Sequence, residues 1–235
     1  MSEWAPKRFW KNTEVQQIGT GWTVTLDGRG VKTPAKSALN TPTKALAEAI
    51  AAEWDAQEEK VDPSTMPFTR MTNSAIDKVA VQHAEVADML AAYGDADLLC
   101  YRADSPQGLV ARQAEHWDPL LDWAATELGA KLEARTGVIH APQDENALSR
   151  LREHVHALDS FQLAAFHDLV TMSGSLVLGF AAFFEHCNAD ELWNLSRLDE
   201  TWQEEQWGVD EEAHEKAEFK RSEFNHAAKY IKLCR

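Results

Sequence analysis

At 235 residues, with 44% hydrophobic and 26% charged side chains, the chain can bury a substantial core, and its composition excludes wholesale disorder. Its 38 acidic residues outnumber 23 basic ones, for a formal charge of -15. That balance disfavours nucleic acid and anionic lipid, whose binding needs a concentrated cationic face. Three widely spaced cysteines, Cys100, Cys187 and Cys234, contain no CxxC pair and read as reduced thiols, with neither a disulfide frame nor a zinc site.

The N-terminal stretch MSEWAPKRFWKNTEV lacks the apolar core of a secretory signal and the serine-rich, acid-poor composition of a transit peptide. Strand signals follow: a first strand through 15–18, TVTL at 23–26 behind Trp22, a hairpin-type Asp27-Gly28 turn, and a return strand at 31–33. From Pro42 the period changes to that of a helix, with Leu46, Ile50, Trp54 and Gln57 on one stripe, Thr41 placed as its cap and an end near Glu59. VDPSTMPF at 61–68 cannot be regular structure, because each proline removes a donor and drives its predecessor toward extended geometry. Helix resumes over 69–81.

Beyond His83 the pattern is helical, with expected helices at 84–93, 96–101, 108–128, 145–158, 160–172, 175–185, 190–207 and 211–231. Pro119 should kink or split the third of these. Residues 131–143 read as one extended link. SLVLGFAAFF at 175–184 is about half the length that spans a bilayer, so it reads as a buried helix and no membrane insertion is expected. The expected fold is α+β, a small antiparallel β-containing domain over 1–85 followed by a mainly α-helical bundle domain over 86–235.

Catalytic constellations are scarce. LDGRG and GTG match neither GxxxxGK[ST] nor GxGxxG. His154 and His156 stand two apart, about 200° around a helix, and cannot share a metal. Cys187 beside His186 diverges by about 100°, which argues against a thiol and its base. No cofactor, metal or catalytic residue is assigned. The alternative class is a small acidic hydrolase or glycan-processing enzyme, which would need two facing carboxylates about 5–10 Å apart in a tryptophan-lined cleft.

Acids and tryptophans concentrate near the C-terminus. Between Asp190 and Glu215 lie ten acids and one base, Arg197, with Trp193, Trp202 and Trp207 interleaved. On a helix Leu195, Leu198 and Trp202 form one stripe, expected in the core, while Asp199, Gln203, Gln206 and Trp207 form a neighbouring stripe. Charge, amide and aromatic groups together suit a protein interface better than a hydrolytic centre. Trp54, by its stripe, is expected to pack in the core.

Several blocks resemble one family: KRFW at 7–10, LDGRGVKTP at 26–34, LNTPTKALAEAIAAEWDAQ at 39–57, DPSTMPFTRMTNSAID at 62–77, DADLLCYRA at 95–103, QAEHWDPLLDW at 113–123 and LSRLDETWQEEQWG at 195–208. They resemble the F1-ATP synthase assembly chaperones of mitochondria and α-proteobacteria. The resemblance implies a non-enzymatic protein that binds the unassembled α subunit and prevents its aggregation until the β subunit arrives. It marks Trp54, Asp55, Met66 and Pro67 as a structural family motif. It also implies client contacts at Asp199, Glu200 and Gln203, with Trp207 as aromatic support; the family's acidic position carries aspartate here, one methylene shorter than glutamate. A bacterial cytoplasm is the expected compartment, or the mitochondrial matrix in a eukaryote.

Overall fold

The computed structural model of the protein describes residues 7–137 and 139–235. The first six residues, part of the stretch read above as leaderless, lie outside the described residues, as does Val138 within the expected link. The chain forms two compact units. The first takes in residues up to His83 together with Ser160–Ala165 and Lys229–Arg235; the second comprises Ala84–Asp159 and Phe166–Ala228.

In the first unit β1 (Thr13–Ile18) pairs antiparallel with β2 (Gly21–Leu26), in a register that sets Val15 opposite Val24. Short β3 (Arg29–Gly30) and β4 (Asn40–Thr41) also pair with β2. The buried end of β2, from Thr23 to Leu26, is the sheet's contribution to the core. Helix α1 (Lys44–Asp55) buries Leu46, Ala47 and Ile50. Its cap is Thr43, two residues after the expected Thr41, because Thr41 lies in β4 and its hydroxyl donates to backbone carbonyls. Thr43 Oγ1 accepts from Leu46 N at 3.2 Å.

Helix α1 stops at Asp55, short of the expected Glu59, and its C-terminal side chains then organise the proline segment. Gln57, buried, donates to Glu53 O at 3.0 Å and Thr65 Oγ1 at 3.1 Å and accepts from Asp62 N at 2.7 Å. Pro63–Thr65 form a 3-10 turn that leads into α2 (Pro67–Ser74). Glu53 caps α2: its carboxylate accepts from Phe68 N at 2.7 Å, Thr69 N at 2.8 Å and Thr69 Oγ1 at 2.6 Å. Helix α2 gives way to a π turn at Ala75–Val79, where Asp77 accepts from Thr33 Oγ1 and Ala35 N.

The second unit starts with α3 (His83–Ala91), whose first residue belongs to the first unit, and two 3-10 turns at Ala92–Ala96 and Leu98–Cys100. These replace the helix expected at 96–101, because Asp97 is extended and its carboxylate accepts from Leu99 N. β5 (Tyr101–Arg102) follows. α4 (Gln107–Glu127) stays one helix through Pro119. Glu115 and Pro119 are both exposed, so the carbonyl freed by proline is open to water, while buried Trp117, Leu120 and Leu121 hold the helix down. The expected link contains β6 (Arg135–Thr136), parallel to β5, and Gln143 clips it through both backbone groups of Glu133.

Helices α5 (Glu145–His156), α6 (Ser160–Ser173) and α7 (Leu176–Phe183) follow. All eight residues of α7 are buried, as expected for a helix apolar on every side. A Cβ on Gly179 would come within 2.7 Å of Val170 Cγ2, so glycine sets this helix-to-helix approach. The helix expected at 190–207 is two, α8 (Ala189–Ser196) and α9 (Leu198–Trp207), broken at Arg197 with φ -114 and ψ 21. Ser196 Oγ donates to Trp193 O at 2.7 Å, a local bond that competes with the helical ladder. The last helix is α10 (Glu211–Leu233), whose residues from Lys229 onward belong to the first unit.

Candidate functional site

Helix α4 is fastened to α9 by the side chains of Gln113 and Arg112, and to α8 by that of Trp117. Gln113, 1% exposed, accepts from Ala103 N at 2.9 Å and donates from Nε2 to Asp199 Oδ1 at 2.7 Å. Arg112 engages both carboxylate oxygens of Glu205 at 2.9 Å, and its guanidinium lies 4.7 Å from the Trp202 ring centroid. Gly108, one turn earlier, leaves room for the Trp202 ring, which a Cβ there would meet at 2.7 Å. Trp117 donates from its indole to Leu195 O at 3.0 Å. Hydrogen bonding to Arg112 holds the Glu205 carboxyl below its ordinary range, and the same contact raises Arg112.

The expected client-contact residues separate into two environments. Asp199 is half-buried, and one of its oxygens is fixed by Gln113. Glu200, Gln203 and Trp207 are exposed, Trp207 to 80%. On the companion stripe, Leu198 is buried while Leu195 and Trp202 are half-buried. Arg197 stands 3.7 Å from Glu200 and 3.5 Å from Glu204. A groove of about 770 Å³ beside this face is lined by Arg112, His116, Asp190, Asn194, Leu198 and Thr201 among others.

The motif residues of the first unit lie apart from that face in sequence. Met66, 2% exposed, and Phe68 are buried; Pro67 and Trp54 are half-buried, and Asp55 is exposed. Trp54 packs edge-on against Trp10 at 5.3 Å between centroids, and Arg8 bridges to Asp55, donating to its carbonyl at 2.7 Å. This geometry accounts for a motif poor in catalysts: Glu53 and Gln57 use their polar ends on the backbone of the proline segment, and Met66 and Phe68 fill the space beneath.

Chemistry of the enzymatic kind finds little support. The groove's lining includes no tryptophan among the described residues, and Asp190 is bound by Arg221 at 2.8 Å and Asn225 at 3.0 Å. Those two hydrogen bonds keep its carboxyl below the ordinary range. His186 stacks on Trp123 at 4.8 Å, and burial pushes the neighbouring Cys187 thiol up, away from the thiolate a nucleophile needs. Burial drives Cys100 to about 12. Among the described residues no three His, Cys, Asp or Glu side chains gather as metal ligands, and no helix is long and apolar enough to cross a membrane.

Gln113 and Arg112 were absent from the residues expected to make contact. Gln113 did leave a trace in the sequence: with Trp117, Leu120, Leu121 and Ala124 it forms the buried stripe of α4, and an amide on such a stripe needs partners. Which partners those are lies far along the chain and has no local signature.

A small antiparallel sheet leading into a helical region is shared with solved chaperone structures. A Paracoccus denitrificans Atp12 crystal structure superposes with a TM-score of 0.95, at 50% identity, over 97% of this chain and 98% of that one. A point mutant of P. denitrificans Atp12p gives 0.96 at 49% identity, with the same coverage. The mitochondrial protein atp12 of Schizosaccharomyces pombe is 30% identical over 221 residues, covering 89% of this chain and 76% of that protein. A sequence profile described as ATP12 chaperone protein matches residues 7–125. By class, then, the protein is a chaperone. It belongs to the ATP12 chaperone family.

Proposed function

We propose that the protein is an F1-ATP synthase assembly chaperone that binds the unassembled α subunit, keeps it from aggregating and yields it when the β subunit binds. The observation that carries this reading is Asp199: a half-buried carboxylate held at one oxygen by a fully buried glutamine, at the margin of a helix face that exposes Glu200, Gln203 and Trp207. A polar face with one preset charge and an exposed aromatic suits reversible recognition of a protein surface. An orphan subunit exposes the surface its neighbour will cover, and a binder that masks it lowers self-association. Release requires only that the final neighbour bind more tightly.

Binding of this kind uses no nucleotide hydrolysis and no cofactor. The motif at Trp54, Asp55, Met66 and Pro67 serves the fold that presents the face. The protein acts where F1 subunits are assembled, in a bacterial cytoplasm or in the matrix of a eukaryotic mitochondrion.

The test is size-exclusion chromatography with freshly refolded F1 α subunit, with and without β. Co-elution with α, less aggregated α and displacement by β are expected. Asp199→Lys is expected to weaken the complex about tenfold or more, roughly 1.4 kcal/mol, and also to lower the melting temperature, because it sets a cation against the buried Gln113 amide donor; binding is therefore compared at a temperature where both proteins are fully folded. A well-folded Asp199→Lys protein that binds α normally removes Asp199 from the contact face.

A further inference from the structure

The turn between α9 and α10 is uncovered on every side. All twelve residues from Glu205 to Lys216 are exposed, including the first six of α10, which together pass through more than a full helical turn. A surface helix ordinarily buries an apolar stripe. Here that support is replaced by local bonds: Asp210 accepts from Ala213 N at 3.1 Å, Glu211 and Glu212 sit in the positive first turn, and Lys216 pairs with Glu212. Gly208, at φ 92 and ψ 164, closes α9 by donating from its N–H to Glu204 O, in a backbone region open essentially to glycine alone.

This projecting turn carries Trp207, 80% exposed, and Val209, 57% exposed. Around them stand four carboxylates, Asp210, Glu211, Glu212 and Glu215, against one lysine, Lys216, while Glu205 is already engaged by Arg112. Among the described residues Glu211 and Glu215 have no ion pair. Single exposed apolar residues are ordinary, but a tryptophan and a valine two apart on a capped acidic turn form a small apolar tip inside a charged surround.

We propose that the α9–α10 turn is an insertion element: Trp207 and Val209 enter an apolar socket on the client protein, and the carboxylates meet a rim of lysine or arginine around that socket. Charge complementarity selects this occupant. A second copy of the chain is equally acidic and would be repelled, as would an anionic membrane. A tryptophan offers a large contact area at small entropic cost, and the capped turn holds it ready before binding. The proposal rests on the client reading above and extends its contact face from Asp199 along α9 to an apolar anchor at the α9–α10 turn.

The test measures binding to refolded F1 α subunit by the wild type, a Trp207→Ala/Val209→Ser variant, a Glu211→Gln/Glu212→Gln/Glu215→Gln variant and a Phe184→Ala control. The aromatic variant is expected to bind about 30-fold more weakly with unchanged melting temperature. The glutamine variant is expected to associate more slowly and to lose much of the salt dependence of its association. The control, exposed elsewhere, should match the wild type. If the aromatic variant binds like wild type while Asp199→Lys does not, the insertion element is wrong and the client reading stands. An effect confined to self-association also overturns the proposal. Failure of the wild type itself to bind α removes the client reading and the insertion element with it.

Discussion

Gln113 shows how much of the site depends on one amide. Its Oε1 is occupied by Ala103 N and its Nε2 by Asp199, so no other side chain of similar size keeps both bonds. Gln113→Leu keeps the volume and leaves the Ala103 donor and the Asp199 acceptor unmatched, an expected loss of about 1–3 kcal/mol in urea unfolding. The exchange Gln113→Glu with Asp199→Asn restores a donor facing an acceptor while moving the charge from α9 to α4. It is expected to recover most of the stability and little of the client affinity. Recovery of affinity as well would mean that the bond, and not the location of the charge, is what the client requires. Gln113 shares the buried stripe of α4 and Asp199 lies on an acidic helix, yet pairing between positions so far apart follows from packing that no local pattern encodes.

Elements were legible where periodicity was strong and misplaced where one side chain overrides the ladder. Helices α1, α5 and α7 follow from their apolar spacing, and the β2–β3 hairpin follows from TVTL and Asp27-Gly28, although its return strand is Arg29–Gly30 and not the expected 31–33. The break at Arg197 depends on a serine bonding three residues back, and the missing helix at 96–101 depends on Asp97. That aspartate is fully buried and accepts from Ser175 Oγ at 2.7 Å, Val177 N at 3.0 Å and Leu99 N at 3.0 Å, so one carboxylate caps α7 and shapes the turn before β5. Burial pushes the Asp97 carboxyl above its ordinary range, while those donors oppose the shift. Asp97→Ala strands three buried donors and is expected to cost about 3 kcal/mol or more, read as a lower urea midpoint. Asp97→Asn, which still accepts, should cost less. Equal losses for the two variants would assign the effect to shape instead of hydrogen bonding.

At the scale of the molecule, the acidic helical region and the small sheet were visible from composition and pattern, but the return of the chain to its first unit was not. Tyr230, fully buried, meets Thr72 Oγ1 at 2.9 Å and stacks on Phe68 with centroids 6.4 Å apart, and Thr43 donates to the carbonyl of Leu233. A tyrosine near the end of an amphipathic helix gives no indication of which partner it will reach. Deleting 229–235 is expected to lower amide-exchange protection throughout β2 and α1 by a factor of about a hundred or more, because losing Tyr230 and Ile231 removes several kcal/mol of burial. Unchanged protection there would show that the unit closes without them. The same arrangement has a consequence for biosynthesis. A ribosome makes the sheet long before Tyr230 and Ile231, which complete the same unit, so the nascent chain carries an unfinished N-terminal unit, with apolar surface still uncovered, while the whole second unit is being synthesised.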